Sequence, residues 1–264
     1  TDQFYWGAGT FASRGAVVAG NACQAAATSV REKILALASK ELEVAEEDLV
    51  LADGRVSAKG APQVAIELGE LAACANPLRG AVKPGTEPGL EATSYFGPEG
   101  GTTANGVHTM VVEVDAETMM VKILRYIVVH DCGKVINPLI LEGQIQGGVA
   151  QGIGNAFYEQ LVYDDDGQLL CASFMDYLLP TAAEVPRVES AHVETPSPLN
   201  PMGVKGAGEA GAIPVGALFA QAVEDALVPL AGNLEILEIP LSPNRLFELL
   251  EQARTQSAAA SEQS

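Results

Sequence analysis

Gly203-Val204-Lys205-Gly206-Ala207-Gly208-Glu209-Ala210-Gly211 is the stretch around which this chain is organised. Its four glycines surround one lysine and one glutamate, with no bulky side chain nearby. Glycine lacks a Cβ and adopts positive φ readily, so this backbone can lie very close to a ligand. Glu209 is therefore a candidate general base on a tightly shaped loop. The alternative is an ordinary glycine-rich turn in which Glu209 caps a helix that begins near Pro214.

The composition is that of a globular protein. The chain has 264 residues, of which 48% are hydrophobic and 19% are charged, enough for one large domain or two lobes. Its 34 acidic and 15 basic residues give a net charge of -19, which argues against nucleic acid or an anionic membrane as a partner. Without a long apolar run or a signal pattern, the sequence predicts a cytoplasmic protein with no membrane span.

Two further features concern the termini and the cysteines. The chain opens Thr1-Asp2-Gln3-Phe4-Tyr5-Trp6 without a methionine and is dense in aromatic residues at once, which predicts a processed piece or a split subunit. The cysteines are far apart and form no C-x-x-C pair, so the sequence spells out neither an iron–sulfur nor a zinc site. We expect buried thiols at Cys23, Cys74, Cys132 and Cys171.

The segment from Gly9 to Gly15 runs into a helical pattern over residues 16–42. Backbone N–H groups at a helix N-terminus, with a hydroxyl and a guanidinium, form a ready anion site. Ser13 and Arg14 are thus candidates to hold a phosphate or a polar cofactor edge. The alternative is that Ser13 simply caps the helix.

The remaining pattern predicts an α+β fold with mixed sheets and packed helices. The sequence predicts two lobes and a tail. The first lobe, of a helix and a hairpin, covers residues 1–85, the second, α+β lobe covers residues 86–254, and a disordered tail covers residues 255–264. The predicted elements are a hairpin over 49–56, a helix over 63–75, strands over 107–114 and 121–129, and helices over 138–160, 215–227 and 243–253.

The helix that Asn137-Pro138 starts contains five glycines between residues 143 and 154. Each glycine costs about 1 kcal/mol relative to alanine, so the run needs a reason. A large planar cofactor lying on the helix would supply one, with Gln144, Gln146 and Gln151 to bind it and Gly147 and Gly148 as its floor. The alternative is small-residue helix packing with the glutamines in solvent.

Two other motifs allow a functional and a structural interpretation. His130 and Asp131 end a strand and suggest a proton relay, although a histidine there is commonly a hydrogen-bonded structural group. The run Asp164-Asp165-Asp166 suggests a calcium loop but lacks the later ligands and the closing glutamate of an EF-hand, which favours a solvated hairpin turn.

Taken in order, these motifs resemble the C-terminal half of the molybdenum-binding large subunit of the xanthine dehydrogenase, aldehyde oxidase and carbon monoxide dehydrogenase family. The resemblance spans nearly everything from Gly7 to about Leu250. The motifs that carry it are Gly9-Thr10-Phe11-Ala12-Ser13-Arg14, Val129-His130-Asp131-Cys132-Gly133 with Ile136-Asn137-Pro138, Gly143-Gln144-Ile145-Gln146-Gly147-Gly148 with Ala150-Gln151-Gly152, Ser173-Phe174-Met175-Asp176-Tyr177, and Lys205-Gly206-Ala207-Gly208-Glu209.

The resemblance implies a two-lobed molybdenum-cofactor-binding domain and a role for each matching residue. Glu209 matches the glutamate beside molybdenum, the base for attack of water-derived oxygen on a C–H carbon. Gln144 matches a glutamine that contacts the pterin. The metal itself is held by the pterin dithiolene, with no protein ligand. The implied cofactor contacts are Ala12, Ser13, Arg14, Gly15, Gln144, Lys205 and Gly208.

The resemblance further implies a molybdenum hydroxylase that acts on an N-heterocycle or aldehyde and is active only with partner subunits. Alternatives are a large-subunit part like that of carbon monoxide dehydrogenase or of a small-aldehyde dehydrogenase, and a non-catalytic cofactor-binding or assembly subunit. The implied cofactor is molybdenum–molybdopterin in its cytosine dinucleotide form. The implied partners are the N-terminal molybdenum half, which carries the substrate-selecting loop, an FAD subunit and a [2Fe-2S] subunit.

Overall fold

The computed structural model describes residues 9–79, 82, 87–232 and 234–262. Contacts divide the chain into two compact units. One comprises residues 18–97, and the other comprises the residues up to Val17 with those from Pro98 onward. The loop at Ser13, which the sequence assigns to the first lobe, is thus grouped with the second. The predicted boundary between residues 85 and 86, and the aromatic start Thr1–Trp6, lie outside the described residues.

The unit of residues 18–97 contains helix α1, Asn21–Leu42, followed by strands β1, Leu49–Ala52, β2, Arg55–Ala58, and β3, Ala61–Glu67, and by helix α2, Leu68–Cys74. The strands form an antiparallel sheet in the order β1-β2-β3. Asp53 and Gly54 both have positive φ, 50° and 75°, as a two-residue hairpin turn requires. The predicted hairpin is confirmed. The buried residues of this unit are Ile34, Leu35, Leu37, Ala38, Leu49, Val56, Leu71 and Ala75.

The helix predicted over residues 63–75 is wrong in its first third. Residues 61–67 form β3, and the helix begins only at Leu68. Ile66 is paired with Val56 of β2, so the β-branched side chains of this segment extend the sheet. The pairing across the sheet therefore outweighs the local helical pattern.

The second unit is built on strands β4, Asn105–Val114, β5, Val121–Asp131, and β6, Val188–His192. Strands β4 and β5 are antiparallel, and β5 and β6 are parallel. Side chains alternate between the two faces of a strand. On β5 this alternation buries Tyr126, Val128 and His130, which are 0%, 0% and 3% exposed.

Four segments complete the second unit. Helix α3, Pro138–Ile153, starts where predicted, because the Asn137 side chain accepts a hydrogen bond from the N–H of Ile140 at 3.2 Å. A π-helical turn, Gly154–Tyr158, then ends the helix before the predicted residue 160. Helix α4, Val215–Leu227, has the predicted bounds. Helix α5 is Pro243–Glu262, with Ser242 Oγ accepting the N–H of Arg245 at 3.2 Å.

Helix α5 corrects the predicted tail. It continues past the expected end at residue 253, so the disorder predicted from residue 255 is wrong as far as Glu262. Alanine is the best helix former, and three alanines in a row at 258–260 favour continuation. Residues 263 and 264 lie outside the described part of the chain. With two sheets and five α-helices in the described chain, the α+β prediction is confirmed.

Candidate functional site

The site begins where the end of β5 meets the glycine-rich stretch. Gly133 and Val204 form an isolated antiparallel bridge, and the N–H of Lys205 donates to the Cys132 carbonyl at 2.7 Å. Gly133 has φ of 66°, and a Cβ there would collide with the carbonyl oxygen of Gly203. Only glycine permits this approach. The turn after β5 therefore fixes the start of the stretch that carries Glu209.

An ion pair stabilises the same junction. The Lys205 ammonium lies 2.9 Å from Asp131 Oδ2 and 2.7 Å from Thr195 Oγ1, and the two charged side chains are only 12% and 13% exposed. Asp131 also accepts the N–H groups of Gly133 and Thr195, and the Thr195 hydroxyl. Burial acts to raise the pKa of Asp131, but these donors together lower it far below its usual value. We call Asp131, Thr195 and Lys205 the Asp131 cluster.

This cluster settles the structural role of two candidates. The relay that His130 and Asp131 suggest, which the sequence favours less than a structural histidine, is not formed, because the Asp131 carboxylate binds Lys205, Thr195 and backbone N–H groups. The ammonium of Lys205 binds Asp131 and Thr195, which uses two of its three N–H donors.

Ser13 and Glu209 meet although 196 residues separate them. The Ser13 hydroxyl donates to Glu209 Oε2 at 2.5 Å and accepts the N–H of Glu209 at 2.9 Å. The interpretation of Ser13 as a helix cap is therefore wrong. Ala12 and Ser13 both have positive φ, 53° and 52°, which is uncommon for residues with a Cβ. The turn thus bends sharply to present Ser13 to Glu209.

The flanking glycines explain this close approach. A Cβ on Gly206 would lie 2.9 Å from the Cβ and the carbonyl oxygen of Ser13, and one on Gly208 would lie 3.4 Å from its Oγ. A side chain at Gly206 would push the Ser13 turn away, whereas a Cβ at Gly208 would make only an ordinary contact. The glycines that the sequence suggests for ligand approach therefore bring two segments of the chain together.

A cavity of about 380 Å³ lies on one side of this contact, and we call it the Gln144 cavity. Asn137, Ile140, Leu141 and Gln144 contribute to it from one face of α3, at the spacing of successive helical turns. The Gln144 side chain is exposed and makes no hydrogen bond within the described chain. The predicted cofactor residues in the wall are Ser13, Gly15, Gln144, Lys205 and Gly208.

A second cavity, of about 330 Å³, lies on the other side of Ser13, and we call it the Glu209 cavity. Ala12, Ser13 and Glu209 line it, so the predicted base opens onto a space large enough for a small molecule. The remaining walls come from residues 102–106, His108, His130, Gly206, Ala210, Ile213 and Pro214.

Arg14 is the one predicted cofactor residue in the wall of neither cavity. Its guanidinium lies over the Phe11 ring, 4.5 Å from the ring centroid. A guanidinium over an aromatic face is held by a cation–π contact. In this structure Arg14 stabilises the turn that carries Ser13.

The glycines of α3 fall into two groups. A Cβ on Gly148 would lie 2.7 Å from the Gly211 Cα, and one on Gly152 would collide with Val215. Gly143 and Gly147 instead face open space, with nothing within 4 Å. Gly148 and Gly152 therefore serve close packing, which is the alternative interpretation, and Gly147 keeps the helix surface bare one turn beyond Gln144.

The other two glutamines of α3 bind neighbouring side chains. Gln146 donates to Glu142 at 2.6 Å, and Gln151 donates to Asn155 and Glu159 at 3.2 and 3.3 Å. Only Gln144 among the three lines the cavity. Gln146 and Gln151 therefore bind neighbouring side chains, and only Gln144 remains a candidate cofactor contact.

His108 is a site residue that sequence reasoning missed. Its Nδ1 lies 2.9 Å from the Tyr126 hydroxyl, and its ring lines the Glu209 cavity beside His130. The available signal was the two-residue period of β4 and β5, which places His108 on the same buried face as Met110, Tyr126 and His130. A polar ring on an inward face is unusual enough to single out.

The tri-aspartate forms a turn closed by its own backbone. Asp164 Oδ1 accepts the N–H groups of Asp166 and Gln168 at 3.0 and 2.8 Å, and Tyr163 and Leu169 form a bridge.

Across the described residues no three His, Cys, Asp or Glu side chains are grouped so as to bind a metal ion. In the same part of the chain, no helix has the length and apolarity needed to cross a membrane.

Comparison with known proteins identifies the family. The profile of the molybdopterin cofactor-binding domain matches residues 1–186. The chain belongs to this family of molybdopterin-binding domains, found in the large subunits of molybdenum hydroxylases.

Individual relatives extend the match through the glycine-rich stretch. The chain is 42% identical to the nicotine 6-hydroxylase large subunit of Paenarthrobacter nicotinovorans, over 91% of this chain and 29% of the relative. It is 37% identical to the carbon monoxide dehydrogenase large chain of Afipia carboxidovorans, over 96% of this chain and 30% of that relative. The structure of quinoline 2-oxidoreductase from Pseudomonas putida 86 superposes with a TM-score of 0.81 at 42% identity. The superposition covers 93% of this chain and 31% of the quinoline enzyme's chain. The chain thus spans about 30% of the length of these proteins.

Proposed function

We propose that this chain forms the C-terminal part of the molybdenum subunit of a molybdenum hydroxylase, with Glu209 as the catalytic base. The contact between Ser13 and Glu209 is the observation that carries this proposal. It places a carboxylate in the wall of a cavity and fixes its direction from two sides. The reaction class is oxidative hydroxylation of a C–H carbon in an N-heterocycle or aldehyde, with oxygen from water.

The Gln144 cavity has the properties that a pterin needs. Its wall combines apolar side chains, such as Ile136 and Ile140, with the unpaired amide of Gln144. Gly15 and Gly208 add backbone without side chains, and Gly147 leaves the neighbouring helix surface bare. A flat ring with donors and acceptors on its edge fits such a wall. Ser13, Gly15, Gln144 and Gly208 are therefore proposed as cofactor contacts.

When bound, the cofactor supplies the two-electron oxidant for the reaction. The chain's own contribution is proton transfer and positioning. Hydroxylation by water releases two protons, and a base must lie within hydrogen-bond reach of the group that loses one. Glu209 Oε2 is held by Ser13, while Oε1 has no partner within the described chain and can accept a proton. The hydrogen bond with Ser13 fixes the other carboxylate oxygen, and Glu209 forms part of the wall of the Glu209 cavity.

The rest of the enzyme is proposed from the relatives, which are large chains of multi-subunit enzymes about three times as long. The part of the large subunit that precedes this chain would complete the cofactor site and select the substrate. An FAD subunit and a [2Fe-2S] subunit would carry the electrons away. The cytosine dinucleotide form is the proposed cofactor. A turnover panel of quinoline, nicotine, an aromatic aldehyde and carbon monoxide separates the substrate alternatives.

The test of the base is Glu209→Gln in the assembled enzyme. Glutamine keeps the shape and can still bind Ser13, but it cannot take a proton. We expect turnover to fall at least about 100-fold, the lower end of general acid–base contributions, with molybdenum and pterin contents unchanged. Glu113→Gln, on an exposed position of β4, is the matched control and should keep full turnover. Near-normal turnover in Glu209→Gln contradicts the base assignment and favours a subunit that only binds or assembles the cofactor.

A further inference from the structure

Two histidines that line the Glu209 cavity, the half-buried His108 and the buried His130, each have an unsatisfied ring nitrogen. His108 Nε2 and His130 Nε2 are inaccessible to water and have no hydrogen-bond partner within the described chain. Buried polar groups are nearly always paired, and an unpaired one costs about 1–3 kcal/mol. Both rings lie in the wall of the Glu209 cavity. An arrangement this costly needs an explanation.

The surroundings of His108 identify which nitrogen carries its proton. Tyr126 is fully buried, and burial raises the pKa of its hydroxyl, so the phenol keeps its proton. That hydroxyl lies 2.9 Å from His108 Nδ1, and it is assigned as the donor because the Ala210 carbonyl, which also acts on this ring, can only accept. Because one nitrogen of a neutral imidazole accepts and the other donates, the proton of His108 is on Nε2. Nε2 is then a donor that faces away from Tyr126.

Carbonyl groups of the Glu209 stretch act on the pKa of each ring, and Gly206 and Ala210 line the same cavity as the two histidines. Burial lowers the pKa of His108, and the carbonyl of Ala210 partly offsets this. Burial and the neighbouring His192 lower the pKa of His130, which the carbonyl of Gly206 partly offsets. A Cβ placed on Gly106 would lie 3.1 Å from His130 Nδ1, so that nitrogen is turned toward Gly106. The Gly206 carbonyl is therefore assigned to the other ring nitrogen, Nε2.

The two carbonyls bracket Glu209 in the sequence. Gly206 and Ala210 are the positions three before and one after it, and Glu209 is held from the opposite side by Ser13. We propose that His108 and His130 are positioning residues that steady the Glu209 loop by donating from Nε2 to the carbonyls of Ala210 and Gly206. Within the described chain neither Nε2 has a partner, so these two hydrogen bonds are expected to form when the complete active site positions the loop. This inference rests on the proposed role of Glu209.

The experiment compares leucine and glutamine at both positions in the assembled enzyme. Leucine removes the hydrogen-bond donor. Glutamine keeps an N–H group about as far from the backbone as Nε2 of histidine. Hydrogen exchange by mass spectrometry over residues 203–213 is the first readout, and kcat and KM are the second. His108→Leu and His130→Leu should speed loop exchange about 10-fold and lower kcat about 10- to 100-fold with KM little changed, since a small misplacement of a catalytic group has such effects. The glutamine variants should restore both.

His192→Leu is the matched control, because His192 is next to His130 across the β5–β6 pairing and lines neither cavity. It should leave exchange and kcat unchanged. Tyr126→Phe keeps the volume and frees Nδ1 to take the proton, so it should loosen the loop even if a leucine variant fails to fold. Unchanged loop exchange in Tyr126→Phe and in the folded leucine variants overturns the proposal. The exchange result does not depend on Glu209 being the base, so Glu209→Gln tests that role separately.

Discussion

The Asp131 cluster and the Glu209 cavity share one nine-residue stretch but differ in how their polar groups are satisfied. In the cluster, the Lys205 ammonium and the Asp131 carboxylate are mostly buried and bind each other, Thr195 binds both, and backbone N–H groups donate to the carboxylate. Four residues further on, Glu209 is exposed and has one oxygen without a partner, and two histidines in the same wall have unpaired nitrogens.

This difference separates scaffold from site. A saturated polar group has no capacity left for a ligand, and its removal leaves a buried partner uncompensated. An unsaturated group beside a cavity is costly to maintain and retains its capacity to bind or to accept a proton. The cluster therefore holds the loop, and the cavity is the proposed site of the chemistry.

Lys205→Met is expected to have the largest effect. Removing one partner of a buried ion pair costs about 3–5 kcal/mol of unfolding free energy, because the remaining carboxylate stays buried without its cation. Urea unfolding of the large subunit measures this loss. Lys122→Met, at an exposed position of β5, is the control and should change stability by less than about 0.5 kcal/mol. A loss in Lys205→Met no larger than the control would mean that the pair is not a scaffold.

The two neighbouring glycines of α3 provide the next contrast. Gly148→Leu should destabilise the fold by about 1–3 kcal/mol, because its Cβ meets the backbone at Gly211. Gly147→Leu should fold normally, since its Cβ meets open space, but should lose molybdenum because it covers the bare surface next to Gln144.

Thermal stability and molybdenum per folded protein distinguish these outcomes. Asp165→Ala, on the exposed turn, should preserve both quantities. A full molybdenum complement in folded Gly147→Leu would refute the assignment of this surface to the cofactor.

Acidification should have the smallest effect. The folded pKa values of His108 and His130 lie below the ordinary value of 6.5, so the unfolded chain binds more protons between those values. Stability is then full above pH 6.5 and declines as the pH falls below it. Asp131 affects stability in a separate pH range. Because its folded pKa is lowered, its contribution to stability is lost only as the pH falls below the ordinary pKa of 3.8.

Melting temperatures between about pH 5 and pH 8 test this sign. His130→Gln does not titrate, so its profile should be flatter than that of the natural protein. A melting temperature that rises on acidification from pH 7 to pH 5 would contradict the lowered pKa values.

Local signals in the sequence were sufficient for much of the fold. Asp53-Gly54 predicted the first hairpin, Asn137-Pro138 the start of α3, and Ser242-Pro243 the start of α5, because turns and caps depend on neighbouring residues. The strand at residues 61–67 was missed because its partner, not its own pattern, decides its conformation.

The site was only partly predictable for the same reason. Its motifs were recognised in order, but the partners of Ser13 and Lys205 lie 196 and 74 residues away, and no local pattern contains them. The sequence also suggested a relay from His130 to Asp131, because adjacent residues look connected. On a strand, neighbours point to opposite faces, so His130 is turned into the buried face while Asp131 binds Lys205.

The location of molybdenum tests the central claim most directly. Crystals of the assembled enzyme, measured on both sides of the molybdenum absorption edge, give the metal position by anomalous difference without prior assumptions. The account predicts one peak at the Glu209 cavity, beside the Glu209 carboxylate, with pterin density extending along Gln144. A peak remote from Glu209, with the Ser13–Glu209 contact intact, would contradict it.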